Sequence, residues 1–326
     1  MKSKRSDRIR CIAAVGTMVL VLLGSVASAL AVSQDLPVDI TINYNNWTAE
    51  WTDIGDDSDF NIDDAEITVG GDEYSDAFDD AFTLKVDGVE FENPDGNIYR
   101  SGNTLKTDTV TLSGLQTTIE YYFVHNRPAV RLLYSFYNPG SSSVSVPVII
   151  GGELGSDDDT TMQMTSDGDQ TLENTDYWYF SNDSGTVGGE PSDPVFMLSR
   201  FFEGAKIIPT PVEIPDDGSD YFSEQYNITV QPGETVRILV FCQISASNAD
   251  AQAGAVDFES LDAALHAGLL SGLTPDEISE IVNGEPPEPE EYTVPVMGFI
   301  GEFFFIGFLG IFGITSLRKR KKIAHL

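Results

Sequence analysis

Cysteine, histidine and cationic side chains are all scarce in this chain, and each shortage removes a class of chemistry. Only 2 cysteines and 3 histidines occur in 326 residues. Cys11 lies in an apolar stretch near the N-terminus, so Cys242 stands alone in the body and no intramolecular disulfide can form there. A body of this size must then be held by its core. Within the run Val236-Arg237-Ile238-Leu239-Val240-Phe241-Cys242, the thiol reads as a small buried hydrophobe. His325 belongs to a basic tail, and His125 and His266 with one thiol cannot build a His/Cys zinc site of the usual spacing. No G-x-S-x-G elbow accompanies them, and phosphate-binding loops and dinucleotide fingerprints are missing.

Positive charge is short as well, with 18 Lys and Arg against 52 Asp and Glu. Ten of the 18 flank the two ends: Lys2, Lys4, Arg5, Arg8 and Arg10 at one, Arg318, Lys319, Arg320, Lys321 and Lys322 at the other. Asp7 and Glu302 are the only acids in those segments, so 8 cations face 50 acids in the body, a net charge of about −42. Such a surface repels nucleic acid, which is excluded as a partner of the body. It fits solvation in a salty medium and solubility better than dedicated calcium sites.

Long apolar runs are confined to the two ends. Residues 1–31 combine a basic region, an apolar region from Cys11 to Val26 and small residues at Ala27-Ser28-Ala29 or Ala29-Leu30-Ala31, the three-part pattern of a secretory signal peptide. Residues 296–317, from Val296 through Phe303, Phe304 and Phe305 to Leu317, are apolar except for Glu302. As a helix that run spans roughly the ~30 Å core of a bilayer. Arg318, Lys319 and Arg320 open a basic tail over 318–326, which places the C-terminus inside and the body outside. The lipid bilayer is thus one expected partner, with glycans or surface proteins as the others. Pro286-Pro287-Glu288-Pro289-Glu290-Glu291, within 285–295, reads as an extended spacer.

Between the ends the period is two. Residues 36–51 carry Val38, Ile40, Ile42 and Tyr44 in alternation with polar residues, as in a half-buried strand. Asp87-Gly88 between Phe82-Thr83-Leu84-Lys85-Val86 and Val89-Glu90-Phe91 predicts a tight hairpin. Further strands are expected over 107–112, 117–124, 129–137, 143–150, 177–180, 195–202, 226–230 and 236–244, with Asn138-Pro139-Gly140 and Gln231-Pro232-Gly233-Glu234 as turns. Short strands at this spacing predict an antiparallel β-sandwich over 32–245. Helical character comes only in 246–284. Phe258, Leu261, Ala264 and Leu265 share a face, then Thr274-Pro275-Asp276-Glu277 supplies a cap, a first-turn proline and a capping-box acid, and Asn283-Gly284 a stop. Two short helices are expected there.

Candidate sites are thin. Asp57, Asp59, Asn61 and Asp63 alternate like a calcium loop, but Ile62 stands where glycine is needed and Thr68 where the closing acid belongs, so an EF-hand is rejected. Asp157, Asp158, Asp159, Asp216 and Asp217 could supply oxygen ligands to calcium, against a plainer role as solvated turns. Trp47, Trp51, Tyr177, Trp178 and Tyr179 could stack on sugar rings if exposed, though such residues more often fill a core. Paired carboxylates for glycoside hydrolysis are available in number, and only geometry could select one pair. Asn46, Asn182 and Asn227 each begin a glycosylation triplet.

Asn138-Pro139-Gly140, then 151–157, Thr165-Ser166-Asp167-Gly168-Asp169, Trp178 and Ser192-Asp193-Pro194, closing at Leu273-Thr274-Pro275-Asp276-Glu277 and Val282-Asn283, resemble a group of uncharacterised secreted bacterial β-sandwich domains. The resemblance covers about 127–283 and implies the fold; no activity, cofactor or site residue comes with it. The tail resembles bacterial sorting signals of the PEP-CTERM and IPTL type in its layout, although Val294-Pro295-Val296-Met297-Gly298 departs from both signatures. Without a nucleophile, metal or cofactor constellation, the sequence predicts a membrane-anchored surface protein that is a non-enzymatic, adhesion-like binding module. The alternative is polysaccharide binding or carboxylate-dependent glycoside processing.

Overall fold

A computed structural model describes residues 32–56, 59–93, 96–156, 160–183, 193–215 and 219–288. The chain divides after Pro286, and the first unit, Met1–Pro286, carries all the secondary structure among the described residues. It is mostly β, with antiparallel sheets in a sandwich-like arrangement, as the alternating pattern predicts.

The largest sheet has 10 strands, in the order Val32–Asp35, Asn97–Ser101, Thr104–Thr107, Leu115–Phe123, Ala129–Tyr137, Thr235–Ser245, Val195–Ser199, Trp178–Asp183 and Thr160–Thr165, with Val110–Leu112 paired beside Leu115–Phe123. A 5-stranded sheet runs Thr210–Glu213, Tyr221–Val230, Val144–Glu153, Thr83–Val86, Val89–Glu90, and a 4-stranded sheet runs Val38–Tyr44, Trp47–Ile54, Asp64–Val69, Asp72–Tyr74. Both pack on one face of the large sheet. Trp51 meets Phe123 at 5.2 Å, Phe222 meets Phe196 at 5.1 Å, and the buried Tyr134 hydroxyl donates to the Phe82 carbonyl at 3.2 Å.

Strand alternation sorts the central strands between two cores. Ile238, Val240, Cys242 and Ile244 point into the core shared with the smaller sheets, while Leu239 and Phe241 point the other way. Leu132 and Tyr134 against Ala129 and Leu133, and Phe196 and Leu198 against Val195 and Met197, repeat the division. A sheet apolar on both faces cannot leave one of them in water, and residues 247–283 cover the second. They form helices α1 (Asn248–Ala255), α2 (Leu261–His266) and α3 (Pro275–Ser279), with a 3-10 turn at Val256–Phe258. Ala251, Ala255, Phe258, Leu261, Ala264 and Ile281 bury themselves on the strands. Cys242 is buried, and burial pushes its thiol well above the usual range.

Polar bonds fix this cover in register. Arg131, on the covered face, donates to the carbonyls of Leu269 at 3.3 Å and Ser271 at 2.7 Å, pairs with Glu120 at 2.9 Å, and lies over the Tyr122 ring. Arg237 donates to Glu280 at 2.8 Å, and the fully buried Asn283 donates to the Leu239 carbonyl and accepts from the Leu239 amide. A second desolvated arginine ties the two larger sheets together: Arg200 pairs with Glu224 through both carboxylate oxygens and donates to the Glu173 and Asp176 carbonyls.

Several elements differ from the sequence reading. Residues 36–51 hold a hairpin: Val38–Tyr44 and Trp47–Ile54 turn at Asn45-Asn46, where Asn45 takes φ +52°, a left-handed conformation asparagine tolerates. Asn138-Pro139-Gly140 carries the chain from the large sheet to the 5-stranded one rather than closing a hairpin, and the buried Asn138 amide bonds Ser142 and Val230 carbonyls at 2.8 and 2.9 Å. Three short helices form where two were expected, and Leu265, expected on the buried face, is 42% exposed while Leu261 and Ala264 are buried. The capping box at Thr274 and Glu277 forms as read. Among the described residues no helix is long and apolar enough to cross a membrane; the expected span at 296–317 lies outside them, as do residues 1–31 and the tail 318–326.

Two stability measurements follow from these contacts. Arg200→Met strands Glu224, which is 3% exposed, without its partner, and should lower unfolding free energy by about 3–5 kcal/mol in a urea titration. Arg200→Met with Glu224→Gln should recover much of that loss, and a single-variant loss under about 1 kcal/mol would show the pair to be dispensable. Burial by itself raises the Glu277 carboxyl, but the Thr274 amide and hydroxyl and the Arg237 charge outweigh it and hold the group below the usual range. A carboxyl depressed on folding contributes stability above its unfolded pKa and loses it as pH falls through the folded value. Thr274→Ala should therefore cost about 1 kcal/mol at neutral pH, by equilibrium melts, and the gap to the unmodified protein should narrow as pH falls through the carboxylate range.

Candidate functional site

At one end of the sandwich the three layers meet and leave a cleft. The hairpin turn at Asn45-Asn46 forms one wall, the loop after Leu115–Phe123 another, and α1 the third. The loop is short, Val124-His125-Asn126-Arg127-Pro128, and tightly held. Val124 N donates to Ala129 O, Ala129 N to Arg127 O at 2.8 Å, and Ile244 N to Pro128 O at 3.0 Å. The Ala129-to-Arg127 bond closes a three-residue turn about Pro128, whose ring presets φ. Arg127 is thereby aimed across the end of the sheet, where it pairs with Asp257 at 2.5 Å and lies 5.5 Å from the Phe258 ring centroid.

Three hollows adjoin there. The central one, about 340 Å³, is lined by Asn46, Trp47, Asn126, Arg127, Gln243 and Asp250 among others. A second of about 390 Å³ shares Asn126 and Arg127 and adds Asp257 and His266. A third of about 470 Å³ shares Asn46 and Trp47 and adds Asn43, Tyr44 and Asn45. Each falls in the size range of small-molecule sites. The Tyr44 and Trp47 rings stand 5.9 Å apart, and His125 meets Tyr44 edge-on at 6.4 Å. The lining is otherwise rich in carboxamides, from Asn43, Asn45, Asn46, Asn126 and Gln243.

Two polar atoms at the floor of the central hollow lack hydrogen-bond partners among the described residues: Gln243 Oε1 and Arg127 Nη1. Gln243 is 4% exposed, and its Nε2 donates to Ser245 Oγ at 3.0 Å, which leaves the oxygen as an unused acceptor. A buried group without a partner costs about 1–3 kcal/mol. Gly254 of α1 makes room for the amide: a Cβ there would stand 2.6 Å from Gln243 Oε1 and 2.7 Å from Nε2.

The structure separates the aromatics that the sequence grouped. Trp51, Trp178 and Tyr179 are core residues at 0, 5 and 1% exposed, Tyr177 is half-buried against Phe201, and Trp47 alone lines the cleft. His125 stands exposed at the cleft rim, and His266, also exposed, sits 3.5 Å from Asp262. Asp157, Asp158, Asp159, Asp216 and Asp217 lie outside the described residues, as do Val296, Phe303, Phe304, Phe305, Leu317, Arg318, Lys319 and Arg320. Of the EF-hand-like stretch, Asn61 is buried and donates to Asp63 and Asp80. Among the described residues no group of three or more His, Cys, Asp or Glu side chains is placed to hold a metal ion. Sequence reasoning passed over Arg127, Gln243 and Asp250. Only Arg127 carried a local signal, an arginine before the proline of a tight turn between two apolar strands.

No family model matches the sequence, and no curated protein matches it. Solved structures do resemble it. A galactose mutarotase-like protein from Lactobacillus casei aligns at 8% identity over 64% of this chain and 100% of its own, with a TM-score of 0.39. A protein from Klebsiella pneumoniae described as an aldose 1-epimerase aligns at 10% identity over 79% and 91%, with a TM-score of 0.37. A heparan sulfate lyase from Pedobacter heparinus aligns at 9% identity over 66% of this chain and 37% of its own, with a TM-score of 0.39. At these scores no activity or residue role passes from them to this chain. The expectation of a non-enzymatic, adhesion-like module, and with it the expectation that the protein is not an enzyme, is corrected here on the chain's own chemistry. Scarcity of His and Cys argues against His/Cys zinc sites and Ser-His-Asp systems alone, whereas a sugar site is built from aromatics, amides and carboxylates, which this chain has.

Proposed function

We propose that the protein handles and processes carbohydrate at the end cleft. The observation that carries this reading is the exposed Tyr44 and half-buried Trp47 standing beside five carboxamide side chains in adjoining hollows. An aromatic face packs against the C–H face of a sugar ring, and carboxamides both donate and accept, as a ring of hydroxyls requires. Three hollows in a row suit a chain of sugar units better than one compact molecule. The titratable side chains at hand for proton transfer are Asp250, His125 and His266, with Asp257 held in its pair with Arg127.

The same reading includes location. It takes residues 1–31 as a secretory signal peptide, 285–295 as a spacer, 296–317 as a transmembrane helix and 318–326 as a cytoplasmic tail, so that the cleft faces outward. The sequence pattern supports this: two apolar runs at the ends and a cationic cluster directly after the second.

Two experiments test the two halves. Full-length protein should bind oligosaccharides on a glycan array and in calorimetry, and Trp47→Ala should weaken binding by about tenfold, the loss of one aromatic platform worth about 1.5 kcal/mol. Change in the sugar itself, followed by polarimetry and by reducing-end release, should accompany binding; an array on which no sugar binds would end the carbohydrate reading. Protease added to intact cells should remove the acidic body and spare an epitope placed at the tail, and a body resistant under conditions that digest the lysate would reverse the orientation.

A further inference from the structure

The central hollow carries information about the charge of its ligand. Among the described residues lining it, Arg127 is the one cationic group, and that charge is already matched by Asp257 at 2.5 Å. Asp250 lines the same hollow, Asp257 the next, and no lysine is among the described residues lining any of the three. The surrounding body adds 50 acids against 8 cations. A carboxylate or sulfate entering the cleft meets repulsion with no unpaired cation among the described lining residues to offset it. Gln243 Oε1 and Arg127 Nη1 nevertheless leave one acceptor and one donor unmatched at the floor, a pattern that adjacent neutral hydroxyls satisfy, since each hydroxyl donates and accepts.

Resting on the carbohydrate reading above, we infer that the cleft selects neutral sugar units over uronates and sulfated sugars, with Gln243 and Arg127 engaging neighbouring hydroxyls. Both atoms are buried, on residues that line the hollow. Among the described residues the Gln243 amide is tethered by Ser245 and rests against Gly254, so a small turn of that amide brings its oxygen to the ligand. Trp47 stands at the opposite wall and packs the ring face. Gln243 and Gly254 thereby become specificity determinants for a class of ligand rather than parts of the core.

The inference is tested on full-length protein by calorimetry with matched pairs of oligosaccharides that differ only in a C6 hydroxymethyl or C6 carboxylate group. Neutral members should bind at least about tenfold more tightly than their uronate counterparts, the margin a single unmatched charge imposes at a partly desolvated site. Gly254→Ala crowds the Gln243 amide without removing a polar group, and Gln243→Met removes the acceptor at similar volume. Each should weaken neutral-sugar binding about tenfold or more while the thermal midpoint stays within a few degrees. Uronates binding as well as neutral sugars, with binding still lost in Trp47→Ala, would overturn the charge selectivity and leave the carbohydrate reading in place. Neutral-sugar affinity unchanged in both Gly254→Ala and Gln243→Met would overturn the role of the floor. Failure of both sugar classes to bind would remove the carbohydrate reading itself, and this inference with it.

Discussion

The structure depends on the need to keep water off both faces of one sheet. Leu239 and Phe241 alternate with Ile238 and Val240 along one central strand, and burying either set alone would leave the other exposed. The smaller sheets cover the inner set. The outer set is covered by residues 247–283, whose short helices bury little each: α3 buries no residue at all, and α1 buries two alanines and a glycine. Helices this short have marginal stability on their own, so they stand because the sheet holds them. Arginines do much of the holding. Arg131 and Arg237 on the sheet, and Arg127 on its end loop, each reach a group in the helical segment.

That arrangement gives the scarce cations an unusual distribution. In a body with 50 acids, the 8 cations could serve as surface counter-charges, yet Arg131 and Arg200 lie at 1 and 0% exposed. Desolvated ion pairs contribute little net stability by themselves. Their use here is directional: a guanidinium with five donors can bond backbone carbonyls and a carboxylate at once, and so fix an element that lacks a large apolar face. Surface acidity is then almost unopposed. Any ligand of this protein approaches through a negative field, and the cleft inherits that field.

Much of the architecture was legible in the sequence, and the rest was illegible for physical reasons. Asp87-Gly88 supplied a turn dipeptide whose positive φ angles, +52° and +76°, are those the hairpin needs, and Thr274 with Glu277 formed the capping box that their spacing implies. The strands at Ala129–Tyr137 and Thr235–Ser245 announced themselves by apolar density. Helix α1 did not, because Asn248–Ala255 reads NADAQAGA and has no large apolar residue to mark a period. Edge strands such as Val32–Asp35 and Thr210–Glu213 were missed because their largely exposed side chains carry no core pattern. Alternation also tells a face but not a position along it: Trp47 and Trp51 share one face of one strand, yet Trp51 is fully buried while Trp47, which begins the strand at the end of the sandwich, packs against the core only in part and lines the cleft. The cleft was the least legible part. Trp47, Arg127, Gln243 and Asp250 come from four distant segments, and nothing in a single sequence pairs them.

The same bonds that complete the core also fix the shape of the cleft. Its third wall is α1, and α1 begins the segment that Arg127, Arg131, Arg237 and Asn283 tie down at successive points. Swinging that segment away as a lid would expose Leu239, Phe241 and Phe258 and strip Arg131 of the Leu269 and Ser271 carbonyls, so large opening is opposed by the energetics of the whole outer core. On the carbohydrate reading proposed above, recognition would work within a preformed opening, by side-chain adjustments at its floor. A preformed site spends less on ordering itself when it binds, which matters for a ligand whose hydroxyls gain little by exchanging water for protein. The rigid outer layer is what would let Tyr44, the half-buried Trp47 and a few amides serve that reading.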